Sequence, residues 1–153
     1  MKVYAVTDGL AKAIEKVNDA MFAQKMLGDG IVIEPSCDDI VSPCDGEVIM
    51  AYPTGHAYGL KSKDGVEILI HLGIDTVELK GKYFFPKVKI GDKVSKGDLI
   101  VSMDHQAIKK EGYIDDVILI CTSSKINVVK NSGIVNREEI AFETVDGEKD
   151  DSK

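Results

Sequence analysis

The stretch that decides the fold covers residues 54–79 and reads TGHAYGLKSKDGVEILIHLGIDTVEL. Two apolar-rich segments flank its Asp-Gly pair, a pattern typical of a β-hairpin. A four-residue loop would place His56 directly opposite His71, and a tighter turn on the Asp-Gly pair would leave the two histidines as diagonal neighbours. Because opposed residues have Cβ atoms roughly 4.5–5.5 Å apart, either register predicts two imidazole rings side by side.

The period-two pattern of the second segment predicts which face of its strand is buried. One face is uniformly apolar and is expected to face the core, namely Ile68, Ile70, Leu72 and Ile74. His71 falls on the other face, ahead of Gly73, which has no side chain to cover it. A lone histidine on a strand is usually structural, but two that converge on an accessible face indicate chemistry.

Length and composition bound the class of protein. The chain has 153 residues, with 44% hydrophobic and 29% charged, which is ordinary for one globular domain. No apolar run approaches the ~20 residues of a membrane span, and the N-terminus is too short for a signal peptide. A net charge of −7 argues against nucleic acid as a partner. Three cysteines without a Cys-x-x-Cys pair are typical of a reducing cytoplasm.

Short apolar runs separated by glycines predict an all-β domain, an antiparallel β-sandwich or barrel of many short strands with glycine-rich corners. The candidate strands are 3–6, 30–34, 47–52, 56–61, 66–72, 99–103, 114–121, 125–129 and 139–142. One or two short helical turns are expected, at 19–27 and, capped by Asp104, at 104–112. We assign residues 1–145 to a single domain and 146–153 to an acidic flexible tail.

Four phrases together resemble the glucose-type IIA component of the bacterial sugar phosphotransferase system. They are FAQKMLGDGIVI from Phe22, SPCDGEV from Ser42, TGHAY from Thr54 and VEILIHLGIDTVELKG from Val66. The likeness extends over residues 3–142. The long run with a second histidine fifteen residues upstream is the specific part, because lipoyl and biotinyl carrier domains share Gly-Asp phrases like those at residues 91–92 and 97–98.

The resemblance implies a cytoplasmic phosphocarrier with a phosphohistidine intermediate and an antiparallel β-sandwich fold. His71 would accept a phosphoryl group from the histidine-containing phosphocarrier protein and pass it to the cysteine of the IIB domain of a glucose-type permease. His56 would hydrogen-bond an oxygen of that group, and the Thr54 hydroxyl would be a further donor. Imidazole suits this role because its pKa lies near 6.5. We expect a backbone carbonyl near Gly73 to hold the other ring nitrogen of His71.

The family also carries an apolar docking patch with acidic edges around the histidines. The matching positions are Phe22, Met26, Leu27, Tyr52, Leu69 and Val77, with Asp19 and Asp75 as the acids. Tyr52 and Leu69 stand where the family often has phenylalanine. A flat apolar patch with charged edges suits a transient interface with either partner.

Two other classes compete with this interpretation. A zinc hydrolase needs three protein ligands, and here only Asp75 lies near the two histidines. His56 and His71 are instead candidate ligands for adventitious or regulatory zinc completed by a partner's carboxylate, and no cofactor is required. A lipoyl or biotin carrier would need a lysine at a hairpin tip, and Lys25-Met26 lacks that setting. His105 is expected on the solvated start of a helix, and the protein is expected to be a monomer without direct membrane insertion.

Overall fold

The computed structural model describes residues 1–145, and the acidic segment at 146–153 lies outside the described residues. The strands are β1 (Lys2–Tyr4), β2 (Gly9–Ala13), β3 (Asp29–Pro35), β4 (Asp39–Val41), β5 (Gly46–Ala51), β6 (Ala57–Ser62), β7 (Glu67–Ile74), β8 (Phe84–Pro86), β9 (Lys93–Val94), β10 (Leu99–Met103), β11 (Ile114–Cys121), β12 (Ile126–Val128), β13 (Gly133–Val135) and β14 (Ile140–Thr144). The helices are α1 (Ala20–Ala23), α2 (His105–Lys110) and two 3-10 turns, Ile14–Lys16 and Thr76–Leu79.

The strands form three antiparallel sheets. The large sheet has the order β13-β2-β3-β11-β7-β6-β5-β9, and two three-stranded sheets have the orders β1-β14-β12 and β4-β10-β8. The predicted all-β, antiparallel fold class is confirmed. The predicted strands all correspond to observed ones, whereas β2, β4, β8, β9 and β13 were missed because their apolar runs are short. No helix within residues 1–145 has the length and hydrophobicity that a membrane span requires.

The central strand β7 separates two apolar layers. Ile68, Ile70 and Leu72 are at most 1% exposed and lie in the main core, as the alternation predicts. Behind the opposite face, a smaller cluster forms where α1 and the preceding 3-10 turn cover part of the large sheet. It consists of Ile14, Val17, Phe22, Val32, Ile74, Ile118 and Ile120. Ile74, predicted on the same face as Ile68, belongs to this second cluster, because the alternation is interrupted at Gly73 with φ +81°. The sheet is therefore buried on both faces at β3 and β11, and one face opens only beyond this cluster.

The predicted registers of the β6–β7 hairpin are both wrong by one residue. Lys61 pairs with Glu67, and the ladder continues so that Ala57, not His56, lies opposite His71. The Ser62 N–H donates to the Val66 carbonyl at 2.8 Å, which leaves a three-residue loop rather than a loop of two or four. Gly65 has φ +84° in this loop, a left-handed conformation typical of three-residue hairpin connections.

Helix α2 begins at its predicted cap and α1 begins at the start of the predicted helical stretch, but His105 is not solvated. Asp19 accepts the N–H of Met21 at 2.9 Å at the start of α1, and Asp104 accepts the N–H of Ala107 at 3.1 Å at the start of α2. His105 is only 8% exposed, and its Nδ1 lies 3.0 Å from Oδ2 of Asp115 on β11. The expectation was wrong because α2 folds back on the following strand β11, and because the N–H of His105 donates to Oδ1 of the distant Asp38 at 3.3 Å.

Substitution of Gly73 tests whether the crowding near the end of β7 requires glycine. It has φ +81°, and a Cβ there would lie 2.4 Å from Cγ2 of Thr76 and 2.9 Å from the Ile114 carbonyl oxygen. We expect Gly73→Ala to lower the free energy of unfolding by about 2–4 kcal/mol, since steric overlap adds to the left-handed backbone cost. The measurement is urea denaturation followed by circular dichroism.

Gly65→Ala is the matched control, because Gly65 has a similar φ of +84° and a Cβ there would have no other atom within 4 Å. The free energy of unfolding of this variant should fall by only about 1 kcal/mol, the cost of a left-handed backbone for alanine. Equal losses in the two variants would show that the crowding around Gly73 is not what makes glycine necessary there.

Candidate functional site

His71 lies near the end of β7 with one ring nitrogen held by the backbone. Its Nδ1 is 2.9 Å from the carbonyl oxygen of Gly73, so the predicted hydrogen bond is confirmed. A carbonyl oxygen can only accept, and Nδ1 must therefore carry the proton. In the neutral ring this leaves a lone pair on Nε2, the nitrogen that points away from the backbone. The left-handed φ of Gly73 is what turns its carbonyl back toward the ring.

His56 reaches His71 by a route that the hairpin register does not predict. It lies in a bend just before β6, after Gly55 at φ +77°, and its carbonyl accepts the N–H of Leu72 at 2.7 Å. Strict alternation would send its side chain to the core face beside Tyr58. The bend instead places the two imidazole centroids 5.3 Å apart at an interplanar angle of 85°. The two rings are neighbours as predicted, but the bend brings them together and not the predicted hairpin register.

Thr54 contacts His56 directly. Its hydroxyl oxygen lies 2.6 Å from Nδ1 of His56, whereas the sequence suggested that this hydroxyl was a donor to the phosphoryl group itself. When the hydroxyl donates to Nδ1, the ring proton of His56 must be on Nε2. The two rings would then differ, with a free lone pair on Nε2 of His71 and a free N–H on Nε2 of His56.

Two aromatic rings hold the imidazoles in place. Phe22, the buried residue of α1, lies with its centroid 5.0 Å from that of His71 at 54°. Tyr52 meets His56 edge-on, with centroids 5.2 Å apart at 83°. Such offset and edge-to-face arrangements are favourable for aromatic pairs. Phe22 therefore packs against His71 rather than standing free in the predicted docking patch.

Burial keeps both imidazoles neutral. His56 is 3% exposed, and burial, followed by the charge of His71, lowers its pKa to about 4. Burial also lowers the pKa of His71, opposed by the bond to Gly73 and by the charges of Asp19 and Asp75. Both pKa values lie below the ordinary 6.5, so at neutral pH His71 is unprotonated on Nε2 and able to act as a nucleophile.

The two histidines lie in an open depression of about 560 Å³. Nine of the eleven predicted site residues line it: Asp19, Phe22, Leu27, Tyr52, His56, Leu69, His71, Asp75 and Val77. Thr54 lies behind His56, and Met26, at 70% exposed, stands outside the depression. The rim remains apolar, because Leu27, Tyr52 and Val77 are each 41–50% exposed.

Sequence reasoning missed several further lining residues, among them Met21, Ile49, Met50, Glu67 and Thr122. Met21 neighbours Phe22 on α1 and could have been inferred from that adjacency. Ile49 and Met50 are consecutive, yet both line the depression. The β5–β6 pairing shifts register between Val48 and Met50. Strict alternation cannot place both on one face, and nothing in the sequence marks the irregularity.

The residues of this site and Lys25 do not have the arrangement that a zinc hydrolase or a lipoyl or biotin carrier needs. Within residues 1–145, no group of three or more His, Cys, Asp or Glu side chains has a metal-binding arrangement. The Nδ1 atoms of His56 and His71 already have partners, which leaves two Nε2 atoms as candidate ligands. Lys25 lies just after α1 and forms ion pairs with Glu15 at 3.0 Å and Asp29 at 3.7 Å, a setting unlike a hairpin-tip attachment site.

Comparison with known proteins identifies related sequences. The glucose-specific EIICBA component of Streptococcus pneumoniae is 45% identical over 122 residues, covering 80% of this chain and 17% of that protein. The glucose-specific EIIA component of Halalkalibacterium halodurans is 45% identical over 109 residues, covering 71% and 63%. The EIIA component of Bacillus cereus is 37% identical over 134 residues, covering 86% and 81%. The chain thus spans less than two thirds of the length of the first two relatives.

Structure and family comparison agree with these relatives. The glucose permease IIA of Mycoplasma capricolum superposes with a TM-score of 0.86 at 36% identity, covering 93% of this chain and 94% of that chain. Residues 1–126 match the family model described as phosphoenolpyruvate-dependent sugar phosphotransferase system, EIIA 1. The chain therefore belongs to the EIIA 1 family of the phosphoenolpyruvate-dependent sugar phosphotransferase system.

Proposed function

We propose that this chain is a phosphocarrier that accepts a phosphoryl group on His71 from the histidine-containing phosphocarrier protein. It would then pass the group to the cysteine of a IIB domain belonging to a glucose-type permease. The observation that carries the proposal is the hydrogen bond from Nδ1 of His71 to the Gly73 carbonyl. It leaves the lone pair of Nε2 available in an open depression, which is what a phosphoryl acceptor needs.

In the first step, the Nε2 lone pair of His71 attacks phosphorus while the nitrogen–phosphorus bond of the donor breaks. The departing donor imidazole keeps the electron pair of that bond. In the second step, a thiolate of the acceptor attacks phosphorus, and the bond to Nε2 returns its electron pair to His71. No phosphate is released into water in either step, because the phosphoryl group moves directly between two nucleophiles.

His56 acts on the charge that develops during transfer. The transition state is loose, with negative charge on the equatorial oxygens, so positioning and electrostatics supply most of the catalysis. The hydroxyl of Thr54, 2.6 Å from Nδ1 of His56, holds that ring and keeps its proton on Nε2. A neutral N–H donor stabilises the transferring group without binding it so tightly that it cannot leave.

The surroundings of the histidines suit two successive partners. The exposed side chains of Leu27, Tyr52 and Val77 supply an apolar rim, and Asp19 and Asp75 lie at its edge. An arginine or lysine of the donor would be steered toward these acids. The same rim can dock either partner because such contacts depend on shape and apolar area more than on specific hydrogen bonds.

Two accompanying expectations belong to this proposal. The compartment is the cytoplasm, in keeping with the three free cysteines. Zinc is not required; the Nε2 atoms of His56 and His71 would bind it only when a partner supplies a carboxylate, since two imidazoles fall short of the four ligands that zinc takes.

The central test is phosphorylation with phosphoenolpyruvate, enzyme I and the phosphocarrier protein. His71→Ala should abolish incorporation of acid-labile phosphate, because the nucleophile is gone. His56→Gln, the matched variant of the neighbouring ring, should still accept phosphate but slow its transfer to the IIB domain by roughly 10²-fold. Phosphate uptake by His71→Ala would contradict the assignment of the nucleophile.

The pH dependence follows from the lowered pKa values. In the unfolded chain both histidines titrate near 6.5, whereas in the folded protein the pKa of His56 is about 4 and that of His71 is also lowered. The unfolded state therefore binds more protons below pH 6.5, and stability should fall as the pH drops through this window. Ring resonances in NMR titrations give the midpoints, with the urea-unfolded protein as reference. A midpoint at or above 6.5 for either ring would contradict the neutral pair.

The acidic edge is tested by removing charge without disturbing the backbone. Asn can replace Asp19 at its helix cap and Asp75 at its φ of +60°. The Asp19→Asn/Asp75→Asn variant should accept phosphate severalfold more slowly at low salt, and the difference should shrink at high salt. Phosphoryl uptake equal to that of the unmodified protein at low salt would remove these acids from the docking surface.

A further inference from the structure

Positive charge is concentrated in one segment of this acidic protein. Residues 80–97, here called the lysine strip, contain six lysines and one acidic residue, Asp92, while the whole chain has a net charge of −7. The strip includes β8 and β9, each an edge strand of its sheet. Phe84 and Val94 of these strands are buried in the core, whereas all six lysines are exposed. The +5 charge of the strip opposes the charge of the rest of the chain.

Most of these lysines have no carboxylate partner among residues 1–145. Lys82 lies 3.7 Å from Glu111, and Lys89 lies 3.4 Å from Asp92. Lys89 keeps 86% of its side chain exposed despite its ion pair. The other four have no carboxylate within 4 Å in that part of the chain: Lys80, Lys87, Lys93 and Lys96. Of these four, Lys96 has its Nζ 3.9 Å from the centroid of the Tyr4 ring. The charges of Lys80, Lys87 and Lys93 are thus available to something outside the chain.

Two large apolar side chains stand among these lysines. Phe85 is 53% exposed and Ile90 is 62% exposed, and both lie outside the depression that holds the histidines. Lysines on edge strands are a common device against sheet-to-sheet aggregation. That device does not explain an exposed phenylalanine on β8, because an apolar ring at an open edge works against it.

We propose that the lysine strip binds the surface of an anionic lipid bilayer, with lysines on the headgroups and with Phe85 and Ile90 in the interface. Exposed aromatic and aliphatic groups flanked by lysines have the composition of interfacial membrane contacts. An acidic protein would be the other anionic occupant, but lysine is depleted from protein interfaces. Four lysines without a carboxylate partner therefore favour headgroups, which need no fixed geometry. This contact is peripheral and needs no inserted segment.

The strip lies directly beside the histidine site. A Cβ at Gly55 would be 3.0 Å from Cβ of Phe84 and 3.2 Å from Cγ of Pro86, so β8 packs against the loop that carries Thr54 and His56. At its other end, the N–H of Gly91 donates to the carbonyl of Val48 on β5 at 2.8 Å. If the proposed phosphocarrier role holds, a bound strip keeps the depression at the membrane, where the permease is located.

The experiment is co-sedimentation of the full chain with vesicles of phosphatidylcholine, prepared with and without phosphatidylglycerol. We expect binding only when phosphatidylglycerol is present, and release at high salt, because counterions screen headgroup charge. Lys87→Gln/Lys89→Gln should weaken binding roughly thirtyfold, and Phe85→Ser/Ile90→Ser should weaken it without changing the salt dependence.

Lys16→Gln/Lys109→Gln is the matched control. It removes the same charge, and both lysines lie toward the β2 end of the large sheet, away from β9; Lys109 lines a surface hollow with Leu10 and Ile134. This variant should bind vesicles almost as well as the unmodified protein. Equal weakening in the two lysine variants would show a nonspecific charge effect and overturn the proposal, as would failure of the unmodified protein to bind.

A vesicle-free phosphoryl-transfer assay separates the remaining outcomes. Membrane binding predicts that Lys87→Gln/Lys89→Gln accepts and passes on phosphate at the normal rate in solution. Slower transfer in solution, without vesicle binding by the unmodified protein, would assign the strip to an acidic protein partner instead. Absence of phosphate on His71 in every variant would overturn the proposed function while leaving the vesicle result to stand by itself.

Discussion

The hydrogen bond between His71 and the carbonyl of Gly73 joins the fold to the chemistry. It forms at Gly73, the last residue but one of β7, which has φ +81° and where a Cβ would overlap Thr76. Glycine therefore satisfies two constraints at once, the crowded approach of the following 3-10 turn and the direction of its own carbonyl. An acceptor at this point decides which ring nitrogen carries the proton, and so which nitrogen is free to react.

The position of the site is set by the boundary of the layer, formed by α1 and the preceding 3-10 turn, that covers one face of the large sheet. On the face of β7 that carries His71, α1 covers neighbouring strands with a small apolar cluster that includes Val32 and Ile118. Phe22 belongs to this cluster and also contacts His71. The depression begins at the edge of the cluster, so the imidazoles are desolvated enough for a lowered pKa and still open to a partner.

Charge is arranged around this depression in two regions of opposite sign. Asp19 and Asp75 raise the pKa of His71 and so act on the site itself. The lysine strip lies on the other side of the loop that carries His56, and two of its six lysines have a carboxylate partner within residues 1–145. The two imidazoles therefore lie between an acidic rim and a lysine-rich flank.

Much of the site was readable from residues 54–79 because it is local. The apolar alternation placed Ile68, Ile70 and Leu72 in the core, and the spacing brought two histidines to adjacent strands, with a carbonyl near Gly73 as the partner of His71. The cap Asp104 was also a local signal, since its side chain accepts from an N–H three residues onward. Resemblance to a known family added the partner surface, most of which lines the depression.

Tertiary structure alone decided the rest. The hairpin register depended on a three-residue loop with Gly65 in a left-handed conformation, and the sequence allowed other loop lengths. The side chain of His56 turned toward His71 because of a bend after Gly55, against the alternation of β6. His105 was buried by the way α2 folds back on β11, the next strand, and by contact with the distant Asp38. The residues by themselves determined which groups were available and which faces were apolar, because those properties repeat with the period of a strand. Long-range packing set the distance between the imidazole rings, the ring nitrogen that carries each proton, and the boundary of the layer that covers the sheet. No local sequence pattern encodes these.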